Sequence, residues 1–317
     1  MALAETRAAR KQLRVLLPYD GSESAETALK DLERAGLPQR FAALIAVTDV
    51  WLPSSPYEIT RAVDARRLKL LTSGMSSFAP ALRDYEEQRV LSREAEARLR
   101  SMFPATSLTT QTIEGSTSLA NELVQTARDY GAELIVLGSE VSPSPQITDY
   151  AARALSIARA AHCSVRIARP SERNTGSPLN IAIGVHETKS TARAVEVVLE
   201  RTWPADTSVN IVVTGELGPR EPARESQTAL ALEELAGTLR ARGLKVSITV
   251  TYGQQPADLL LEHAKEISAD CIFLDADLLG HGQRNGLSKV AQSVVLGASC
   301  SVEIVRPTTR EYLDPAA

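Results

Sequence analysis

The chain carries two internal duplications in the same order. Residues 13–29 read LRVLLPYDGSESAETAL and residues 180–195 read NIAIGVHETKSTARAV. Residues 132–169 open AELIVLGSEV and close AAHCSVRIAR, and residues 269–306 open ADCIFLDADL and close GASCSVEIVR. Asp20 aligns with His186 at an offset of 166, whereas Gly138 aligns with Asp275 and Cys163 with Cys300 at an offset of 137. One α/β unit therefore occurs twice, head to tail, and the difference of the offsets, 29, is the surplus in the middle of the first copy. Each copy acts as a control for the other, because a ligand-binding residue kept in one and lost in the other marks divergence.

Length agrees with this reading, since 317 residues exceed what one compact core usually organises. The boundaries expected are 11–170 for a first domain and 180–307 for a second. The polar, Pro- and Gly-containing 171–179 forms the linker. Apolar runs at 14–18, 42–48, 108–113, 133–138 and 164–168 read as strands. They are answered by runs at 180–185, 209–214, 245–251, 269–274 and 302–305. Runs such as LIVLG and NIVVT suit parallel strands covered on both faces. Helical spacing lies between them, as at Ala25, Leu29 and Leu32 before Gly36, and at Leu119, Leu123 and Ala127 before Gly131. Strands alternating with helices predict an α/β fold with a doubly wound parallel sheet in each copy. The surplus falls at about 51–80, with a weakly amphipathic 59–71, and is followed by a strong helical stretch at 81–103. It reads as a surface excursion over a sheet edge or the second copy. The alternative is a lid, since the segment leaves from the carboxyl end of the second strand.

Charge and cysteine content exclude several classes. A net charge of −4 with 4% aromatic residues lacks the basic stripe and stacking platforms of nucleic-acid binders. No apolar run approaches the roughly 20 residues of a membrane span, so no membrane partner is expected. Three cysteines make no disulfide framework and read as small buried hydrophobes in a reducing compartment. The amino-terminal residues lack the apolar stretch of a signal peptide, and a cytoplasmic location is expected. No nucleophile elbow, His-Glu-x-x-His, CxxC or complete phosphate loop is present, so no catalytic residue, metal ligand or enzyme activity is assigned.

The opening VLLPYDGSESAETAL and the closing LIVLGS…AAHCSVRIAR and CIFLDA…GASCSVEIVR resemble the universal stress protein family in both halves. The resemblance implies a Rossmann-like, adenine-nucleotide alpha-hydrolase-like sheet of five parallel strands in order 3-2-1-4-5. It further implies two such sheets packed as an intramolecular pseudo-dimer, a stress-response role, and in some members ATP at the switch point between strands 1 and 4. The implied phosphate loop is Gly-x2-Gly-x9-Gly-Ser/Thr after strand 4, whose glycines let backbone N–H groups reach phosphate oxygens.

Carried over residue by residue, the first copy keeps Asp20, Gly21, Ser22, Gly138 and Ser139, with Val47 where the adenine would lie. The second loop glycine is Val141, the Gly-Ser pair is Ala151-Ala152, and Pro143 and Pro145 remove two donors. In the second copy His186 and Glu187-Thr188 replace Asp-Gly-Ser. Asp275, Leu278 and Ser288 replace the glycines, and Lys289 replaces the hydroxyl residue. Asp275 and Asp277 would face entering phosphates; like unit charges about 4 Å apart repel by about 4 kcal/mol at an effective dielectric of about 20. Gly280, Gly282 and Gly286 are out of register, and only a shifted loop would use them. His186 and Asp275 end neighbouring strands in the implied order and read as an ion pair plugging a vacated pocket. A metal cluster with Asp277 and His281 is the alternative. No resident cofactor is expected. The candidate is a weak nucleotide site in the first domain formed by Asp20, Gly21, Val47, Gly138 and Ser139, with ATP as the ligand the resemblance implies. Without a ligand, Ser22 or Ser24 caps the first helix and Gly21 makes the turn.

The expected function is thus a non-catalytic stress-response or regulatory module. The alternative is an ATP/AMP sensor or slow ATPase acting through the first domain. An adenylyl transferase would need a histidine-rich phosphate motif after strand 1, which is missing. Partners implied are an unidentified protein and a second copy of the chain. Finally, Arg166 and Glu303 hold equivalent positions on the fifth strands, SVRIAR and SVEIVR. If those edges pair antiparallel, the two residues lie opposite one another, and the charge swap favours unlike halves over like ones.

Overall fold

The computed structural model describes residues 12–48, 80–113, 119–139, 149–174, 176–185, 188–215, 222–253, 255–276 and 286–307. The first half contains β1 (Arg14–Tyr19), α1 (Glu23–Asp31), β2 (Ala42–Thr48), α2 (Pro80–Met102), β3 (Ser107–Ile113), α3 (Leu119–Tyr130), β4 (Leu134–Gly138), α4 (Asp149–Ala160) and β5 (Ser164–Ala168). The second contains β6 (Asn180–Val185), α5 (Thr188–Glu200), β7 (Ser208–Gly215), α6 (Pro222–Arg240), β8 (Lys245–Tyr252), α7 (Pro256–Glu266), β9 (Cys271–Asp275), α8 (Lys289–Gly297) and β10 (Ser301–Val305). The expected helix through Gly36 is shorter: α1 ends at Asp31 and tightens into a 3-10 turn at Leu32–Arg34. The surplus segment up to residue 79 lies outside the described residues, as do the excursion and lid readings placed on it.

Each half has the strand order 3-2-1-4-5, with all pairings inside a half parallel. The two five-stranded units expected are both there, and their fifth strands meet antiparallel, the pairing under which Arg166 and Glu303 were expected to face each other. There is one ten-stranded sheet, β3-β2-β1-β4-β5-β10-β9-β6-β7-β8, because β5 and β10 pair antiparallel edge to edge. The physical reason is that an uncovered fifth strand leaves a row of backbone donors and acceptors, and the fused copy satisfies them.

Strand side chains alternate between the two faces. On one face Leu16, Ile135, Val165, Ile167, Ile272, Val302 and Ile304 pack under α3, α4, α7 and α8 as a single apolar cluster spanning both halves. On the other face there are two clusters. Val15, Leu17, Ile45 and Val136 lie under α1 and α2, and Ile181, Ile183, Ile211 and Phe273 lie under α5 and α6. Between these two clusters the seam strands present Arg166 and Glu303, both fully buried. Burying each large apolar side chain stabilises the fold by about 1.5–3 kcal/mol. The shared cluster therefore couples the halves directly.

Matched side chains brace the seam symmetrically. The Arg169 N–H donates to Ser301 Oγ and the Arg306 N–H donates to Ser164 Oγ, each at 3.1 Å. The Arg169 guanidinium donates to the carbonyls of Val295 and Ala298 at the end of α8, and that of Arg306 donates to Ala158 near the end of α4. A cation at a helix carboxyl end is favoured by the helix dipole. Among the described residues no helix is long and apolar enough to cross a membrane.

Candidate functional site

Strands β1 and β4 pair only at Val15–Leu134 and Leu16–Ile135 and then diverge. Pro18 stands at the divergence and has no N–H to leave unpaired. The gap is a crevice of about 390 Å³, open mouth included, lined by Tyr19, Asp20, Ser22, Ser24, Thr48 and Gly138 among others. In the second half the equivalent strands β6 and β9 stay paired from Ile181–Cys271 through Gly184–Leu274, so they separate later.

At the crevice Asp20 accepts the Ser22 N–H on Oδ1 at 2.9 Å, and Ser22 Oγ accepts the Ala25 N–H at 3.2 Å as the cap of α1. Gly21 turns the chain at φ +74°, a conformation L side chains rarely adopt, and a Cβ there would lie 2.5 Å from Leu91 Cδ2 of α2. Glu23 and Glu26 stand on the first turn of α1, and Glu26 is bonded by the Tyr19 hydroxyl and by Arg98 of α2.

The sequence-predicted residues are only partly brought together. Asp20 and Gly138 line the crevice, and Gly21 makes the turn between β1 and α1. Val47 is fully buried in the apolar cluster under α1 and α2. Ser139 is buried, donates its N–H to the Ala168 carbonyl at 3.0 Å, and has no partner for its hydroxyl among the described residues. Gly138 has a packing task of its own, because a Cβ there would run into the carbonyl of Ser24 in α1. Ser22, not Ser24, is the cap, whereas Ser24 is buried in the helix. Thr48, Ser24 and Tyr19 also line the crevice. Of these, Thr48 had a visible signal, since Thr214 repeats it at the offset of 166.

The second half is built differently at the matched place. Asp275 is buried rather than lining an open mouth, and neither carboxylate oxygen has a hydrogen-bond partner among the described residues. Burial, with Glu196 adding to it, pushes its pKa up to about 7; the Ala194 N–H, nearby but outside hydrogen-bonding geometry, and the charge of Arg193 oppose the rise. Ser288 caps α8 by accepting the Ala291 N–H at 3.1 Å, so the hydroxyl at a former loop-glycine position is engaged by its own helix. His186, Asp277, Leu278, Gly280, His281 and Gly282 lie outside the described residues. The His186–Asp275 pair and the shifted-loop reading lie there with them. Among the described residues no cluster of three or more His, Cys, Asp or Glu could hold a metal.

The described residues fit a phosphate cradle poorly in both halves. In the first, α4 opens with Asp149, and Ala151 and Ala152 stand on its first turn where the Gly-Ser pair would be. In the second, a buried carboxyl occupies the loop's first position.

Of the cysteines, Cys163 and Cys271 are buried and Cys300 is half-buried, which corrects the expectation of three buried thiols. Burial raises all three, Cys163 to about 12 and Cys300 to about 11. Cys271 accepts the Arg166 Nη1–H at 3.1 Å on Sγ.

A search of curated proteins found no match. Among solved structures, a universal stress protein from Archaeoglobus fulgidus DSM 4304 superposes with a TM-score of 0.62 at 14% identity, covering 94% of this chain and 97% of that one. A functionally unknown protein from Pseudomonas aeruginosa PAO1 gives a TM-score of 0.54 at 14% identity, covering 93% and 92%. These likenesses speak to the fold across nearly the whole chain. The family profile described as "Universal stress protein family" matches residues 141–306, more than half of the sequence, and on that match the chain belongs to the universal stress protein family.

Proposed function

We propose that this chain is a non-catalytic stress-response or regulatory module of two domains, 11–170 and 180–307, joined by 171–179. It works as a jointly folded scaffold in a reducing compartment and presents its surface to a protein partner or to a second copy. The observation that carries this reading is the sheet itself. The halves share one continuous ladder and one apolar cluster, while the positions matched to a phosphate loop carry Ala151, Ala152, Asp275 and Ser288.

A second reading is favoured by the early divergence of β1 and β4 and by the placement of Asp20 and Gly138 on one crevice. In it the first domain is a weak nucleoside or nucleotide sensor, with Asp20 accepting hydrogen bonds from the ligand. A thermal-shift titration with ATP, AMP and adenosine separates the two. A ligand held at 100 times its Kd stabilises the fold by about 2.7 kcal/mol. We expect no rise in Tm with millimolar ATP. A rise that vanishes in Asp20→Ala would replace the scaffold reading with the sensor.

A further inference from the structure

At the centre of the seam, Arg166 of β5 lies directly opposite Glu303 of β10 in the antiparallel ladder, and both side chains are fully buried. Arg166 donates from Nε to Asp31 Oδ2 at 2.5 Å and from Nη1 to Glu303 Oε2 at 3.2 Å. Glu303 is gripped a second time by Arg201, which donates from Nη1 to Oε2 at 2.8 Å and from Nη2 to Oε1. Asp31 belongs to α1 and Arg201 directly follows α5, so each strand residue is held by an element of its own half. Burial works against the charge on Arg166, and Asp31, Cys271 and Glu303 more than reverse it, so the guanidinium stays charged.

These four residues break the symmetry of the seam, and Asp31 is held further by Arg34 at 3.2 Å and by the Ser301 hydroxyl, which donates to its Oδ1 at 2.9 Å. Asp31 matches Val197, Arg201 matches Ala35, and Arg166 matches Glu303. The braces on either side do not: Arg169 with Ser301 repeats as Arg306 with Ser164. A symmetric frame would hold any two fifth strands together, including two copies of the same half. In that like pairing Arg166 would meet Arg166, or Glu303 would meet Glu303, at the dry centre of the ladder. Well-packed apolar side chains replace a buried ion pair with little or no loss of stability. Stability alone therefore gives no reason to keep four ions here.

We propose that the Asp31–Arg166–Glu303–Arg201 quartet is a pairing code that makes the β5 edge accept a β10 edge and reject another β5. The code confines the seam to one first half and one second half. Without it, like halves of different chains would pair at this edge, and each chain would link two others into open assemblies. The helix-side ions set the polarity. Exchanging only the strand pair, Arg166→Glu with Glu303→Arg, would set a second carboxylate against Asp31 and a second guanidinium against Arg201, so that exchange does not restore the seam.

The test uses the full chain. Wild type and the neutralised variant Asp31→Asn, Arg166→Met, Arg201→Met, Glu303→Gln are unfolded in guanidinium and refolded by dilution over a hundredfold range of protein concentration. Their mass is read by light scattering against never-unfolded samples at the same concentrations. Wild type is expected to recover its native mass throughout. The variant is expected to form assemblies that grow with refolding concentration, at least fivefold above wild type at the top of the range. If the four-residue variant does not fold, Glu303→Gln alone keeps the shape and removes one charge, and it is expected to show the same trend more weakly. A folded variant, four-residue or Glu303→Gln, whose mass matches wild type at every concentration overturns the proposal. So does a wild type that itself polymerises on refolding.

Discussion

Asp275 is the residue whose environment most departs from that of its counterpart. Gly138 ends β4 with the Ser24 carbonyl against it, whereas Asp275 ends β9 with a buried carboxyl and no hydrogen-bond partner among the described residues. Burial is the largest cause of its raised pKa of about 7, compared with an ordinary 3.8. A carboxyl raised in the folded state favours folding while it is protonated. Its contribution is full below the unfolded pKa and is lost as pH rises through about 7. The loss is on the order of 4 kcal/mol across that window. Asp275→Asn keeps the shape and cannot ionise. It is therefore expected to raise Tm at pH 8 and to leave it nearly unchanged at pH 3, below the unfolded pKa. Equal shifts at both pH values would show that the carboxyl is not the source.

At the scale of elements, the contact of α1 with β4 decides how the first crevice is walled. The Ser24 carbonyl sits where a side chain on residue 138 would have to go. Gly138→Ala must push α1 away from the sheet, and overpacking of this kind costs about 1–3 kcal/mol. A lower midpoint in urea with an unchanged slope is the expected result. A midpoint equal to wild type would mean that α1 yields freely and that the glycine serves something other than packing. The same contact bears on function, because a glycine explained by helix packing is weaker support for a phosphate loop. The alternation of β5 and β10 is equally consequential: Val165, Ile167, Val302 and Ile304 turn to the shared apolar cluster, and Arg166 and Glu303 turn to α1 and the chain after α5.

For the whole molecule, the apolar cluster common to both halves and the cross-seam contacts predict a single cooperative unfolding event. Trp203 of the second half lies on Gly36 of the first, its ring 2.7 Å from where a Cβ would be, and the Thr202 N–H donates to the Gly36 carbonyl at 2.9 Å. Trp203 is one of two tryptophans, so in a Trp51→Phe background its fluorescence reports on that contact. Fluorescence and far-ultraviolet circular dichroism are expected to change together on heating. Two separated transitions would mean that the halves are independent units that merely touch.

The strand order within each half, the helix ending at Gly131, and the facing of Arg166 and Glu303 were legible in the sequence, because each rests on local periodicity, on internal repetition or on the family likeness that the repeated motifs carry. The capping of α1 by Ser22 was likewise readable from residue type and spacing. The sequence set Arg166 against Glu303 only if the fifth strands pair; that they do pair, the burial of Asp275 and the recruitment of Asp31 and Arg201 to the seam were decided only in three dimensions. Asp31 and Arg201 are far apart in sequence and have no charged counterparts in the other copy, so repetition could not point to them. Local pattern specifies which face of an element is apolar. Which distant charges share a dry space depends on how the chain closes, since only closure removes the water that would otherwise screen them.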